Sequence, residues 1–137
     1  MTEYRKVTDR LSVSAQISAE EAAAAVGDGF ALVINNRPDG EAPGQPAGAA
    51  IEAAARAAGA DYLHLPVTGR PSPETARAQA QAVAHARGPV LAFCRSGTRS
   101  ITAWAMGEAA AGVDRNELVR LAAAAGYDLA PVLGVQP

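Results

Sequence analysis

Val90-Leu91-Ala92-Phe93-Cys94-Arg95-Ser96-Gly97-Thr98-Arg99-Ser100 is the stretch that decides the fold. Four consecutive apolar residues have the length of a strand covered on both faces, and the residues from Ser100 to Ala110 read as a helix. A strand passing into a helix through a short loop is a unit of parallel α/β sheets. The only cysteine of the chain stands at that junction, where free backbone N–H groups and the positive end of the helix dipole converge. Such a setting favours a thiolate and binds oxyanions. Gly97 permits the backbone torsion of a tight cradle, and Ser96, Thr98 and Ser100 carry hydroxyl donors. Arg99 is placed to clamp a phosphate, sulfonate or persulfide with two parallel hydrogen bonds, while Arg95 does the same or points outward. A cysteine kept only for packing needs none of these neighbours.

Outward from this stretch the pattern alternates between short apolar runs and longer helical ones, which predicts an α/β class with a mainly parallel central sheet flanked by helices. Leu11–Ser14 reads as a strand, and Ser18 and Glu21 form a capping box for a helix Ala19–Val26 stopped by Gly27 and Gly29. Phe30–Ile34 reads as a central strand. Asn35–Pro46 is too rich in Pro, Gly and Asn for regular structure, and it follows the carboxyl end of that strand, where open α/β sheets bind ligands. A helix is expected over Ala47–Ala58, a strand over Tyr62–Leu65 and a loop over Pro66–Pro71. Ser72 and Pro73 then start a helix running to about Arg87. Asp114 and Glu117 suggest a second capping box for a last helix Arg115–Ala125, leaving Gly126–Pro137 as a loose or packed tail.

The chain has 137 residues, 49% of them hydrophobic, enough for one core, and residues 1–137 are expected to form a single domain. No apolar segment suggests a leader or a membrane span, and one cysteine allows no internal disulfide, so a cytoplasmic location is expected. Twelve basic and 14 acidic residues give a net charge of -2 with no basic stripe, which argues against nucleic acid as a partner. Two histidines and one cysteine, far apart, give no zinc-ligand spacing, and no metal or cofactor is expected.

The segments LSVSAQIS, VINNRPDGEAPGQP, YLHLPVTG and GPVLAFCRSGTRS occur in this order over most of the chain. In them the sequence resembles the phosphatase-like domain of the beta-lactamase-hydrolase-like proteins, bacterial relatives of dual-specificity phosphatases that are also described as sulfur transferases. The resemblance implies a tyrosine-phosphatase-like fold, with Cys94 as nucleophile, Arg99 as anion-binding residue and the Asn35–Gln45 loop bordering the site. Asn36, Arg37 and Arg70 are then candidate substrate contacts. Relatives often carry the domain fused to a metal-dependent hydrolase or a persulfide dioxygenase. This chain has too few histidines for such a unit, so a separate persulfide-oxidising partner would perform that step.

Two departures bear on the reaction. Cysteine-dependent protein phosphatases have one more residue between cysteine and arginine, whereas the four here match the spacing of the rhodanese sulfurtransferase loop. The loop Pro66-Val67-Thr68-Gly69-Arg70-Pro71-Ser72-Pro73 also lacks the aspartate that such phosphatases use as general acid. The expected activity is therefore sulfur transfer through a Cys94 persulfide, from a small-molecule sulfur donor to an acceptor thiol. The alternatives are a phosphatase acting on a phosphorylated substrate through a phosphocysteine, and a non-catalytic module that binds an anion or senses oxidants. Asp39 and Glu41 read as turn residues, and His64 as a structural histidine. His85 reads as a surface residue, Trp104 and Met106 as packing residues, and Glu74 and Asp61 as the only nearby substitute proton donors.

Overall fold

The structure, a computed structural model, describes residues 2–136. Along the chain it contains β1 (Arg5–Lys6), β2 (Leu11–Ser14), α1 (Ala19–Gly27), β3 (Leu32–Asn35), α2 (Gly48–Ala57), β4 (Asp61–His64), α3 (Pro73–His85), β5 (Val90–Phe93), α4 (Thr98–Ala110), α5 (Arg115–Ala124) and α6 (Ala130–Leu133). The sheet runs β1-β2-β5-β3-β4, parallel throughout except for β1, which pairs antiparallel with β2. This is the α/β class with a mostly parallel sheet that the sequence predicts.

Side-chain alternation along the strands divides the interior into two cores. Val33, Leu91 and Phe93 pack with Ile17, Ala22 and Ala25 and with Ile51 and Ala55, which puts α1 and α2 on one face. Leu32, Ile34, Val90 and Ala92 pack with Val83, Ile101, Trp104, Leu118 and Leu133, which puts α3 to α6 on the other. Strands buried on both faces read as apolar runs, and β5 is apolar throughout while β3 is apolar up to its last residue, Asn35. Among the described residues no helix is long and apolar enough to cross a membrane.

The caps explain several boundaries. Ser18 accepts from Glu21 N while the Glu21 carboxylate accepts from Ser18 N, the reciprocal box expected. Ser72 caps α3 at Thr75 N. Asp114 caps α5 through Asn116 N, but the predicted second box does not form, because Glu117 turns along the helix to Arg120. Two further expectations are corrected, and a third is decided between its alternatives. Phe30 lies before β3 and packs edge-on against Tyr4 instead. α4 starts two residues earlier than expected, at Thr98, because Gly97 serves as its N-cap. The tail is packed and forms α6, with Leu129 and Leu133 buried.

Gly107 shows how closely α3 and α4 approach. A β-carbon there would overlap the Ala76 carbonyl oxygen and stand 2.7 Å from Ala80 Cβ. In an open helix Gly→Ala gains about 1 kcal/mol, whereas overpacking against a fixed backbone costs about 1–3 kcal/mol. The clash should win. Gly107→Ala is expected to lower the unfolding free energy by about 1–2 kcal/mol in urea titration, and a stabilised variant would contradict this packing.

Candidate active site

Because β2, β3, β4 and β5 are parallel and in register, their last residues, Ser14, Asn35, His64 and Phe93, lie level at one edge of the sheet. The loops that leave this edge supply the site, as open α/β sheets generally do.

The centre is Cys94, fully buried directly after β5. Gly97 N–H points at its sulfur, with N to Sγ at 3.1 Å. Gly97 adopts φ +92°, the left-handed region that only glycine enters cheaply. No side chain caps α4, and the Thr98, Arg99 and Ser100 N–H groups of its first turn make no backbone hydrogen bond among the described residues. They remain available to an anion. The expected hydroxyl donors divide. Ser96 and Thr98 are exposed and their hydroxyls lie 3.1 Å apart, whereas Ser100 is fully buried and its hydroxyl has no partner among the described residues.

Arg99 accounts for its five N–H donors in an informative way. Its Nη1 donates to Glu41 Oε2 at 2.7 Å and to the Val67 carbonyl oxygen at 2.7 Å, and its Nη2 donates to Glu41 Oε1 at 2.8 Å. Three donors are used. Nε–H and the second Nη2–H are left, a side-on fork of the kind that can grip an oxyanion. The Glu41 hydrogen bonds raise the Arg99 pKa most, burial opposes them, and the nearby Cys94 charge adds to the rise. The guanidinium therefore serves the site as a permanent cation.

Glu41 is the residue that sequence reasoning missed. Its loop looked like an ordinary turn, but its carboxylate joins Arg99 to Arg37, whose Nε donates to Glu41 Oε1 at 2.9 Å. Arg99 first and Arg37 second hold the Glu41 pKa down at about 2. Only the run Arg37-x-x-x-Glu41 hinted at this partnership.

Arg37 is brought to the site, but with its side chain almost fully buried between Glu41 and Gln16 Oε1, the latter at 3.1 Å. It holds the Glu41 carboxylate from the side away from Arg99 Nη1. Asn36 as a substrate contact is corrected: its side chain is fully buried, donating to the Leu65 carbonyl and exchanging hydrogen bonds with Gln79, which also donates to the Ser100 carbonyl. It ties β3 to α3 and the start of α4. Arg70 is exposed and makes no ion pair or hydrogen bond among the described residues. Arg95 points outward into a cavity of about 390 Å³ lined also by Arg5, Gln16 and Glu21. His64 is structural, its Nε2 2.9 Å from the Arg37 carbonyl oxygen. His85 is exposed at the end of α3, and Trp104 and Met106 pack in the core.

Neither substitute acid makes an ion pair or hydrogen bond to the cysteine loop among the described residues. Asp61 begins β4, at the edge of the sheet opposite the site, and pairs with Arg87 at 3.3 Å. Glu74 is exposed in the first turn of α3.

With this geometry in place the chain can be set beside known proteins. The model of the family described as "Beta-lactamase hydrolase-like protein, phosphatase-like domain" matches residues 3–111. The chain belongs to this family. A curated Beta-lactamase hydrolase-like protein of Agrobacterium fabrum is 39% identical to this chain over 126 residues. That alignment covers 90% of this chain and 29% of the relative, so the chain spans less than a third of the relative's length. Among solved structures, a candidate phosphatase of Neisseria meningitidis matches with TM-score 0.82 and 34% identity, covering 94% of this chain and 92% of the other. PTPMT1, 17% identical with TM-score 0.69, covers 87% of this chain and 80% of its own, and shares the fold. The phosphatase-like domain thus has the tyrosine-phosphatase-like architecture that the resemblance implied.

The depressed Glu41 pKa gives a pH prediction. A carboxylate with a lowered folded-state pKa stabilises the fold above its unfolded value, 4.5, and that contribution is lost as pH falls toward about 2. The stability difference between the wild type and Glu41→Gln should therefore be present at pH 6 and shrink between pH 4.5 and 2. Denaturant titrations at several pH values test this, and a difference constant across that window would place Glu41 outside the arginine pair.

Proposed function

We propose that the phosphatase-like domain is a Cys94-dependent hydrolase of activated phosphate monoesters. The observation that carries this reading is a buried cysteine at the carboxyl end of β5 with Gly97 N–H on its sulfur and the Arg99 guanidinium beside it. Support comes also from the family description and from the Neisseria relative, described as a candidate phosphatase at 34% identity. In the first step the sulfur attacks phosphorus, an S–P bond forms, and the P–O bond to the leaving group breaks with the electron pair leaving on oxygen. In the second, water attacks the phosphocysteine, the S–P bond breaks, and phosphate and thiolate are released with a proton to solvent. Loop N–H groups and Arg99 hold the equatorial oxygens through both steps.

The missing acid narrows the substrate. Glu41 cannot supply a proton at neutral pH, since two arginines keep it ionised, and Asp61 lies at the far edge of the sheet. General acid catalysis is typically worth about 10²–10⁴-fold. Leaving groups that depart as stable anions, such as phenolates or carboxylates, need none. Two observations favour a second reading, transfer of a sulfane sulfur through a Cys94 persulfide: the four-residue spacing from Cys94 to Arg99, and a 66–73 loop without a carboxylate. Sulfite or a thiolate leaves such a donor without a proton.

The two are separated by one pair of assays. An aryl phosphate should be turned over and an alkyl phosphate at least about 10²-fold more slowly, with both activities abolished in Cys94→Ser. If instead thiosulfate adds one sulfur to Cys94 by intact mass, cyanide removes it as thiocyanate, and aryl phosphate is untouched, sulfur transfer replaces the phosphatase reading.

A further inference from the structure

Tyr127 lies beyond the residues matched by the family model, yet it touches the cysteine loop. Its hydroxyl donates to the Ser96 carbonyl oxygen at 2.9 Å. A β-carbon on Gly97 would overlap that hydroxyl and stand 3.3 Å from the Ser14 carbonyl oxygen, so the ring closes the outer side of the loop. The ring itself is fixed. The Arg5 guanidinium lies over it at 5.7 Å from the centroid and donates through Nη1 to the Ala125 carbonyl, while Tyr127 N donates to Ala122 O at 2.9 Å.

Ser96 C=O and Gly97 N–H belong to one peptide unit. Among the described residues there is no cis peptide, so the two groups point in opposite directions: the oxygen out to Tyr127, the N–H in to Cys94 Sγ. Glycine tolerates either sign of φ, so nothing in Gly97 itself prevents this unit from turning over and presenting its oxygen to the anion. A donor on the outer end prevents it, and polarises the peptide so that the inner N–H becomes the stronger donor. We propose that Tyr127 is a positioning residue of the active site, holding the 96–97 peptide with its N–H toward Cys94 and the bound oxyanion. This rests on the cysteine loop being the anion site. Burial raises the Tyr127 pKa above its ordinary value, Arg5 opposes this, and the Cys94 charge adds to the rise, so the hydroxyl remains a donor at neutral pH.

Tyr127→Phe removes the hydroxyl and keeps the ring under Arg5. Inorganic phosphate binding by calorimetry should weaken about tenfold, and Cys94 alkylation by iodoacetamide at pH 7 should slow at least about threefold, with the thermal transition retained. Aryl phosphate turnover should fall in kcat more than it rises in KM. Tyr4→Phe, which also removes a tyrosine hydroxyl contact, an exposed one to Asp28 rather than to the loop, should change neither binding nor alkylation. Wild-type values for both in Tyr127→Phe would overturn the proposal, as would losses matched by a collapsed thermal transition, which would make the hydroxyl a folding contact only. Should the wild type fail to bind phosphate and to hydrolyse aryl phosphate, the phosphatase reading falls, and the alkylation comparison still decides the role of Tyr127.

Discussion

The turn at Gly97 is the constraint from which the site follows. Only a residue free to take φ +92° can end β5, bring its own N–H back to within 3.1 Å of Cys94 Sγ and start α4 at the next position. That reversal points the first turn of α4 at the cysteine, and it puts Arg99, the second residue of the helix, on the side where the loops after β3 and β4 arrive. A side chain at position 97 would be strained by its torsion and would strike Tyr127 and the Ser14 carbonyl as well. Local backbone chemistry and tertiary packing therefore demand glycine for the same geometry.

Arg99 then organises the surrounding loops. Two of its donors hold the 35–46 loop through Glu41 and a third holds the loop after β4 through the Val67 carbonyl. Arginine is suited to this because its donors lie in one rigid plane, so fixing one edge of the guanidinium aims the other. Lysine would keep the charge and lose the direction. Behind this layer, Asn36 and Gln79 join β3, α3 and α4 in a fully buried exchange of amide hydrogen bonds. Buried amides that satisfy one another fix relative position more strictly than apolar packing does, because a shift of one ångström would leave polar groups unpaired.

Much of this was legible in the sequence because it is written in local patterns. β5 emerges from its short apolar run and β2 from alternation of apolar and polar residues, α1 and α3 from Ser18 with Glu21 and from Ser72 with Pro73, and the cysteine loop from its residue types. What escaped depends on partners distant in sequence. β1 consists of Arg5 and Lys6, polar and exposed, and exists only by backbone pairing to β2. α6 is four residues long and draws its stability from core contacts rather than from its own pattern. Glu41 reads as a turn residue until Arg99, distant in sequence, is folded against it, and Asn36 reads as a loop-edge contact until Gln79 claims it. Tyr127 lies in a segment that reads only as a loose or packed tail. Composition reveals which groups are present, whereas the identity of the partner decides whether a polar side chain serves substrate or scaffold.

On the phosphatase reading proposed above, the charges of the assembled site explain why the backbone must carry so much of the binding. Arg37 and Arg99 bring two positive charges, Glu41 returns one negative, and a thiolate at Cys94 would return another, so the side chains at the centre sum to zero before any anion arrives. A phosphate approaching this centre meets no large net attraction from them. Its binding free energy must come from directed donors: the free fork of Arg99, the unpaired N–H groups at the start of α4, and the peptide between Ser96 and Gly97. Directed dipoles lose their effect quickly when misaligned, far more so than a diffuse positive field does. A site built this way discriminates by the geometry of the oxyanion rather than by its charge alone. It also depends on contacts that hold its dipoles still, which is why groups on the outside of the loop, such as the Tyr127 hydroxyl, bear on what happens at the sulfur.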